Sequence, residues 1–143
     1  MSKGNAIETS LLALIFNGTT IANVADNAAG SPISSLWVSL HIADPGEAGD
    51  QTTSEMTWTG YARVTTSRST SAWNVSGATA SNTGAISFSE CTNLSGVATY
   101  FAVGTSYSGA GRLLYSGSLT SALTISAGIT PYFASGALTV TED

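Results

Sequence analysis

Charge is the scarcest material in this sequence. Lys3, Arg63, Arg68 and Arg112 are its only strong cations, set against nine Asp and Glu, and charged residues make up 9% of the chain where about a quarter is usual. Binding nucleic acid by phosphate neutralisation needs several clustered cations, so four scattered ones exclude DNA and RNA as main partners. A polybasic membrane contact is excluded for the same reason. Cysteine is represented by Cys91 alone, which rules out an intramolecular disulfide and a Cys-based zinc site and suits folding in a reducing cytoplasm. The longest early apolar stretch, Leu11 to Phe16, is too short to span a bilayer. Lys3 is followed by Gly4, Asn5 and Glu8, which interrupts the apolar run a signal peptide needs, so synthesis without export is expected.

What is present is a β-rich pattern in a hydroxyl-rich, nearly neutral chain. A length of 143 residues with 43% apolar content predicts one domain over 1–143, able to bury roughly two-thirds of the surface its unfolded form exposes. Ser, Thr, Gly, Ala and Asn take the place of charge. Such a surface is weakly self-repelling and suits a protein packed among neighbours.

A helix is predicted over about 5–17. Ile7, Leu11, Leu14 and Ile15 fall on one face of a 3.6-residue period, and Leu12 and Phe16 widen it. Asn5 and Glu8 make a capping-box-like pair, and Asn17-Gly18 is a stop. A helix this apolar must be covered, either by the domain's own sheet or by a partner subunit. Asn27 to Pro32 reads as a turn in the loop that follows.

From Ser35 to Ile42 the chain alternates as a strand, with Leu36, Val38, Leu40 and Ile42 on one face and Trp37, Ser39 and His41 on the other. Asp44-Pro45-Gly46 ends it, and Glu47 to Thr57 is predicted as an exposed acidic loop. Further strands are predicted at Tyr61–Ser67, Ala72–Ser76, Ala85–Ser89, Ala98–Val103, Arg112–Ser118, Ala122–Ile125 and Ala137–Val140, separated by Gly/Asn/Ser turns that include Asn93 to Gly96. The β region runs over about 35–141. The pattern predicts a mostly β fold: a jelly-roll-like β-sandwich of about eight short strands with one N-terminal helix. No repeat, collagen-like triplet or heptad run is present, so a self-standing fibrous shaft is not expected.

Catalytic material is thin. His41 is the only histidine, Asp44 lies beyond its strand, and no Gly-x-Ser-x-Gly elbow occurs. Glu47, Asp50 and Glu55 share one loop; their spacing does not match an EF-hand, and a solvated acidic surface is the plainer reading against a calcium site. Gly104 to Gly111 lacks the Lys of a phosphate loop and reads as a hairpin turn. No cofactor, metal or catalytic residue is expected. The aromatic residues, among them Trp58, Tyr61 and Tyr107, serve either as core and rim packing or as anchors for a protein or sugar. Arg63, in Gly60-Tyr61-Ala62-Arg63-Val64, could stack or pair with a carboxylate. The interface candidates are Ile7, Leu11, Leu14, Ile15, Trp58, Tyr61, Arg63 and Tyr107.

Four strings occur together here: Met1-Ser-Lys-Gly-Asn-Ala-Ile-Glu-Thr, Leu36-Trp-Val-Ser-Leu-His-Ile-Ala-Asp-Pro-Gly-Glu, Gly60-Tyr61-Ala62-Arg63-Val64 and Gly136-Ala-Leu-Thr-Val-Thr-Glu-Asp. The set resembles a family of small tailed-phage and prophage proteins often labelled phage tail fibre protein. The resemblance covers nearly the whole chain and implies a virion structural protein without catalytic residues. Size, low charge, β pattern and apolar helix are also similar to those of capsid decoration or cement proteins. Two readings follow. In the first, the chain is a decoration or cement protein that binds the major capsid protein and stabilises the head. In the second, it is a tail or tail-fibre component with a receptor- or glycan-binding role. In either, virion proteins are the partners and a homo-oligomer is expected.

Overall fold

A computed structural model describes residues 5–21, 33–93 and 96–142, with the side chains of Asn5 and Ile7 left out. The turn expected at Asn27 to Pro32 lies outside these residues, as does much of the one at Asn93 to Gly96. In chain order the elements are α1 (Asn5–Asn17), β1 (Ser35–His41), β2 (Val64–Ser67), β3 (Trp73–Ser76), β4 (Thr79–Asn82), β5 (Ile86–Ser87), β6 (Gly96–Gly104), β7 (Leu113–Ile125), β8 (Tyr132–Phe133) and β9 (Thr139–Thr141). The chain is mostly β with one N-terminal helix, as the pattern implies. The strands do not form a closed jelly roll: they make three open sheets, ordered β2-β1-β6-β7, β3-β4-β9 and β5-β8. Short strands at even spacing are compatible with both arrangements, because pairing is decided by contacts distant in sequence.

The chain divides into two compact units, each assembled from separate stretches. The first comprises residues 1–35, 67–85 and 133–143. Here α1 packs on β3 and β4. Gly77, at φ +58°, turns the chain between these two strands. Leu12 and Phe16 are fully buried, and the Phe16 ring meets Trp73 at 4.6 Å. Glu8, Leu12 and Phe16 are thus the inward stripe, whereas Leu11, Leu14 and Ile15 of the expected face are half-buried. The side chain of Ile7 lies outside the described residues. The difference has a simple origin: a helix apolar nearly all round offers several stripes, and the sheet beneath selects one.

Two polar side chains tie this unit together. Arg68 donates from Nε to Ile15 O at 2.7 Å, from Nη1 to Ile33 O at 3.1 Å, and from Nη2 to Leu14 O. It therefore places a cation on carbonyls that the last helical turn leaves unpaired. Asn82, 2% exposed, donates to Gly84 O and Ala134 O at 2.7 and 2.8 Å and accepts from Leu138 N at 2.9 Å. All the bonding groups of its amide but part of one oxygen are thereby satisfied, as burial requires.

The second unit comprises residues 36–66 and 86–132. Leu36, Val38, Leu40, Phe101, Ala102 and Val103 of β1 and β6 are buried in it. The register runs antiparallel from Trp37–Gly104 to His41–Tyr100. Ser39 and His41 on the other face of β1 are also fully buried, so the alternation describes two covered faces. The strands predicted at Arg112–Ser118 and Ala122–Ile125 are one strand, β7, with an irregularity between them. Its pairing with β6 steps from Ala98–Leu123 to Tyr100–Ser118, leaving Leu119 to Ala122 opposite Thr99 alone.

Candidate functional site

The site grows from the acidic loop after β1. The backbone of that loop returns to the strand: Ile42 N donates to Ser54 O at 2.9 Å and Met56 N to Leu40 O at 2.8 Å. The stretch 47–57 is therefore pinned to the sheet for much of its length rather than free. Of the three carboxylates expected to form a solvated surface, Glu47 is exposed, and the other two have separate roles. Asp50 accepts from Thr52 N at 2.8 Å and Thr52 Oγ1 at 2.6 Å, which closes a local turn. These hydrogen bonds hold the Asp50 carboxyl below its ordinary pKa. Glu55 faces inward. Among the described residues no three or more of His, Cys, Asp and Glu gather where they could hold a metal ion.

Glu55 and Arg63 form a two-pronged pair. Arg63 Nε donates to Glu55 Oε1 at 2.8 Å and Nη2 to Oε2 at 2.7 Å. The pair is desolvated, with side-chain exposures of 3% for Arg63 and 10% for Glu55. Tyr61 donates its hydroxyl to Glu55 Oε1 at 3.0 Å and accepts from Leu40 N at 3.3 Å. Its phenol pKa is raised, first by burial and then by the Glu55 charge. The Tyr61 ring meets Trp58 edge-on at 4.7 Å and stacks on Phe88 at 6.2 Å. Trp58 is 8% exposed and donates Nε1–H to Glu90 O at 3.2 Å. Of the aromatic and cationic interface candidates, Trp58, Tyr61 and Arg63 are thus engaged inside the unit, and Tyr107 stands outside it at 73% exposure.

Arg63 also reaches the turn that carries Tyr107. Nη1 donates to Ser106 O at 2.9 Å and Nη2 to Gly109 O at 2.8 Å. A second brace comes from Gln51, fully buried, whose Oε1 accepts from Ser106 N at 2.9 Å. Gly109 and Gly111 supply the left-handed backbone the turn requires, at φ +69° and +55°. Ser106 Oγ donates to Ser108 O at 2.7 Å and Arg112 N to Thr105 Oγ1 at 3.0 Å. The turn is held from inside while its aromatic side chain, Tyr107, is exposed. Beside it lies a cleft of about 180 Å³ lined by Glu55, Thr57, Tyr61, Ala62, Arg63, Tyr107, Ser108 and Gly109. A wider groove of about 440 Å³ lies between Asp44–Glu47 and residues 113–116 of β7.

His41 sits behind this assembly. Its Nδ1–H donates to Thr53 O at 2.9 Å, which leaves Nε2 to accept from Ser39 Oγ at 2.9 Å. Burial lowers its pKa, opposed by the Thr53 carbonyl and the Glu55 charge. It is a neutral strut for the loop. Ser39 reaches it, but its position in the sheet and full burial give no access to a substrate.

Sequence reading singles out Arg63 and Tyr107 and places Glu55 on a solvated acidic surface rather than against Arg63; it does not find Gln51 or the Ser106 and Gly109 carbonyls that connect them. The available signal for Glu55 was its company: an Arg with a planar fork eight residues on, in an otherwise cation-poor chain. Nothing in the sequence marks which backbone carbonyls that fork will meet.

The unit thus holds an exposed aromatic turn in place with buried polar side chains. Over residues 3–141 the chain matches the family described as Podophage GP4 fiber I protein gp80, and it belongs to that family. It is accordingly a phage virion structural fibre protein, and its role is not enzymatic. No curated protein matches it. The family description names a fibre, which fits the tail-component reading better than the decoration or cement reading favoured by size and charge.

Proposed function

We propose that the chain is a tail-fibre component that contributes to receptor recognition through the turn bearing Tyr107. The observation that carries this reading is an exposed aromatic on a turn fixed by buried bonds from Arg63 and Gln51. Fixing the loop beforehand lowers the ordering cost of binding, and Tyr offers large contact area with few rotatable bonds. A turn that served only to join β6 to β7 would need neither the aromatic residue nor the braces. The half-buried Leu11, Leu14 and Ile15 would provide the apolar contact with other virion proteins or a second copy.

The test is adsorption of phage carrying Tyr107→Ala. Adsorption is expected to fall about tenfold, the scale of one aromatic anchor, while particle yield stays the same. Unchanged adsorption, or antibody labelling of this chain on the capsid lattice and not the tail, would overturn the reading.

A further inference from the structure

We infer that the cleft beside Tyr107 takes an uncharged sugar ring. This deepens the receptor-recognition reading and rests on it. Three properties of the cleft converge on that ligand class. The first is size: about 180 Å³ lies below the roughly 300–1,000 Å³ of sites for drug-sized ligands, and suits one ring of a longer chain.

The second is the chemistry of the walls. A pyranose has a face of C–H groups and a rim of hydroxyls. Tyr107, 73% exposed, presents an aromatic surface for the C–H face. Thr57 and Ser108 bring hydroxyls to the lining, and the Glu55 carboxylate keeps acceptor capacity, since Oε2 has one protein donor, from Arg63. Planar and hydroxyl groups around an aromatic platform match the alternating apolar and polar faces of a sugar.

The third property is charge. An anionic sugar would need an available cation. Arg63 is the only cation in the lining, and it is already neutralised by Glu55, spends further donors on Ser106 O and Gly109 O, and has a side chain 3% exposed. Arg68 is committed to the α1 carbonyls of Leu14 and Ile15 in the other unit, and Arg112, exposed at the far end of the Tyr107 turn, is not among the residues lining the cleft. With a net charge of −5, the chain repels an acidic saccharide at long range. A cationic ligand is disfavoured as well, because the Glu55 charge is already paired. A neutral ring costs the cleft no uncompensated charge.

The experiment is isothermal titration of the purified chain with neutral hexopyranose oligosaccharides, their uronic-acid counterparts and their phosphorylated counterparts. Binding of the labelled chain to a panel of bacterial strains is measured in parallel. Neutral sugars are expected to bind with an affinity that does not change between low and high salt, since no net charge is matched. Tyr107→Ala should lose about tenfold or more, and Tyr107→Trp should retain binding, with unchanged melting temperatures showing that both fold. Binding of acidic sugars alone, or neutral binding indifferent to Tyr107→Ala, overturns the inference. If no sugar binds but cells are still bound through Tyr107, the receptor reading survives and the sugar assignment falls. If the chain binds neither sugars nor cells, both fall.

Discussion

Arg63 and Glu55 meet fork to fork, with Nε on Oε1 at 2.8 Å and Nη2 on Oε2 at 2.7 Å. The same guanidinium bonds Ser106 O and Gly109 O, so one side chain joins the loop after β1 to the turn after β6. Its geometry accounts for the choice of Arg: a lysine ammonium cannot make parallel bonds to a carboxylate and reach two carbonyls on the far side.

Arg63→Ala should therefore cost about 3–5 kcal/mol, because it leaves Glu55 buried and unpaired. Arg63→Lys should recover only part of this. The double variant Arg63→Met with Glu55→Gln should be more stable than Arg63→Ala, since it removes the stranded charge. Urea denaturation of the four proteins checks the order; equal midpoints for wild type and Arg63→Ala would show that the pair contributes nothing.

His41 predicts a dependence on pH. Its folded pKa lies below the ordinary 6.5, chiefly through burial. Below that ordinary value the unfolded chain takes up a proton that the folded chain resists, so stability is complete above about pH 6.5 and falls as the solution becomes more acidic towards the depressed folded value. The slope contributed is at most about 1.4 kcal/mol per pH unit. Thermal melts from pH 8 to 5 should show this fall, and His41→Gln, though less stable at pH 8, should flatten it. A wild-type slope unchanged by the substitution would refute the assignment.

Gln51 and Gly104 are fitted to each other. A Cβ built on Gly104 would stand 2.1 Å from Gln51 Cδ. Gly104→Ala should destabilise the chain by about 1–3 kcal/mol or more through overpacking. Adding Gln51→Ala should restore part of the loss, although Ser106 N then loses its acceptor. Non-additive melting temperatures in this double-mutant cycle are the readout; simple additivity would mean the two do not touch.

The helix offers a comparison of its faces. Phe16→Ala, which empties a buried site against Trp73, should cost about 3–5 kcal/mol. Leu14→Ser on the half-buried side should cost clearly less in the isolated chain. Comparable losses would mean that the stripe containing Leu14 is also core.

Much of this protein was legible in its sequence because it depends on short-range rules. The extent of α1 follows from its apolar content and the Asn17-Gly18 stop. The positions of β1, β3 and β6 follow from alternation between turn residues, and the scarcity of cations, Cys and His restricts the chemistry wherever the chain folds. Where strands are short and polar, local pattern fails: β4, Thr-Ala-Ser-Asn, has no apolar alternation and is held by β3 and β9 on either side. The sheet order, the stripe of α1 that turns inward, and the carbonyls that Arg63 grips are set by residues far apart in the chain. No period or spacing encodes them, because each results from packing and hydrogen-bond demands that arise only when those residues meet. Charge scarcity, visible from the start, thus acquires a location in the tertiary structure: the Arg whose side chain braces the Tyr107 turn is spent on Glu55, and no unpaired cation lines the aromatic cleft.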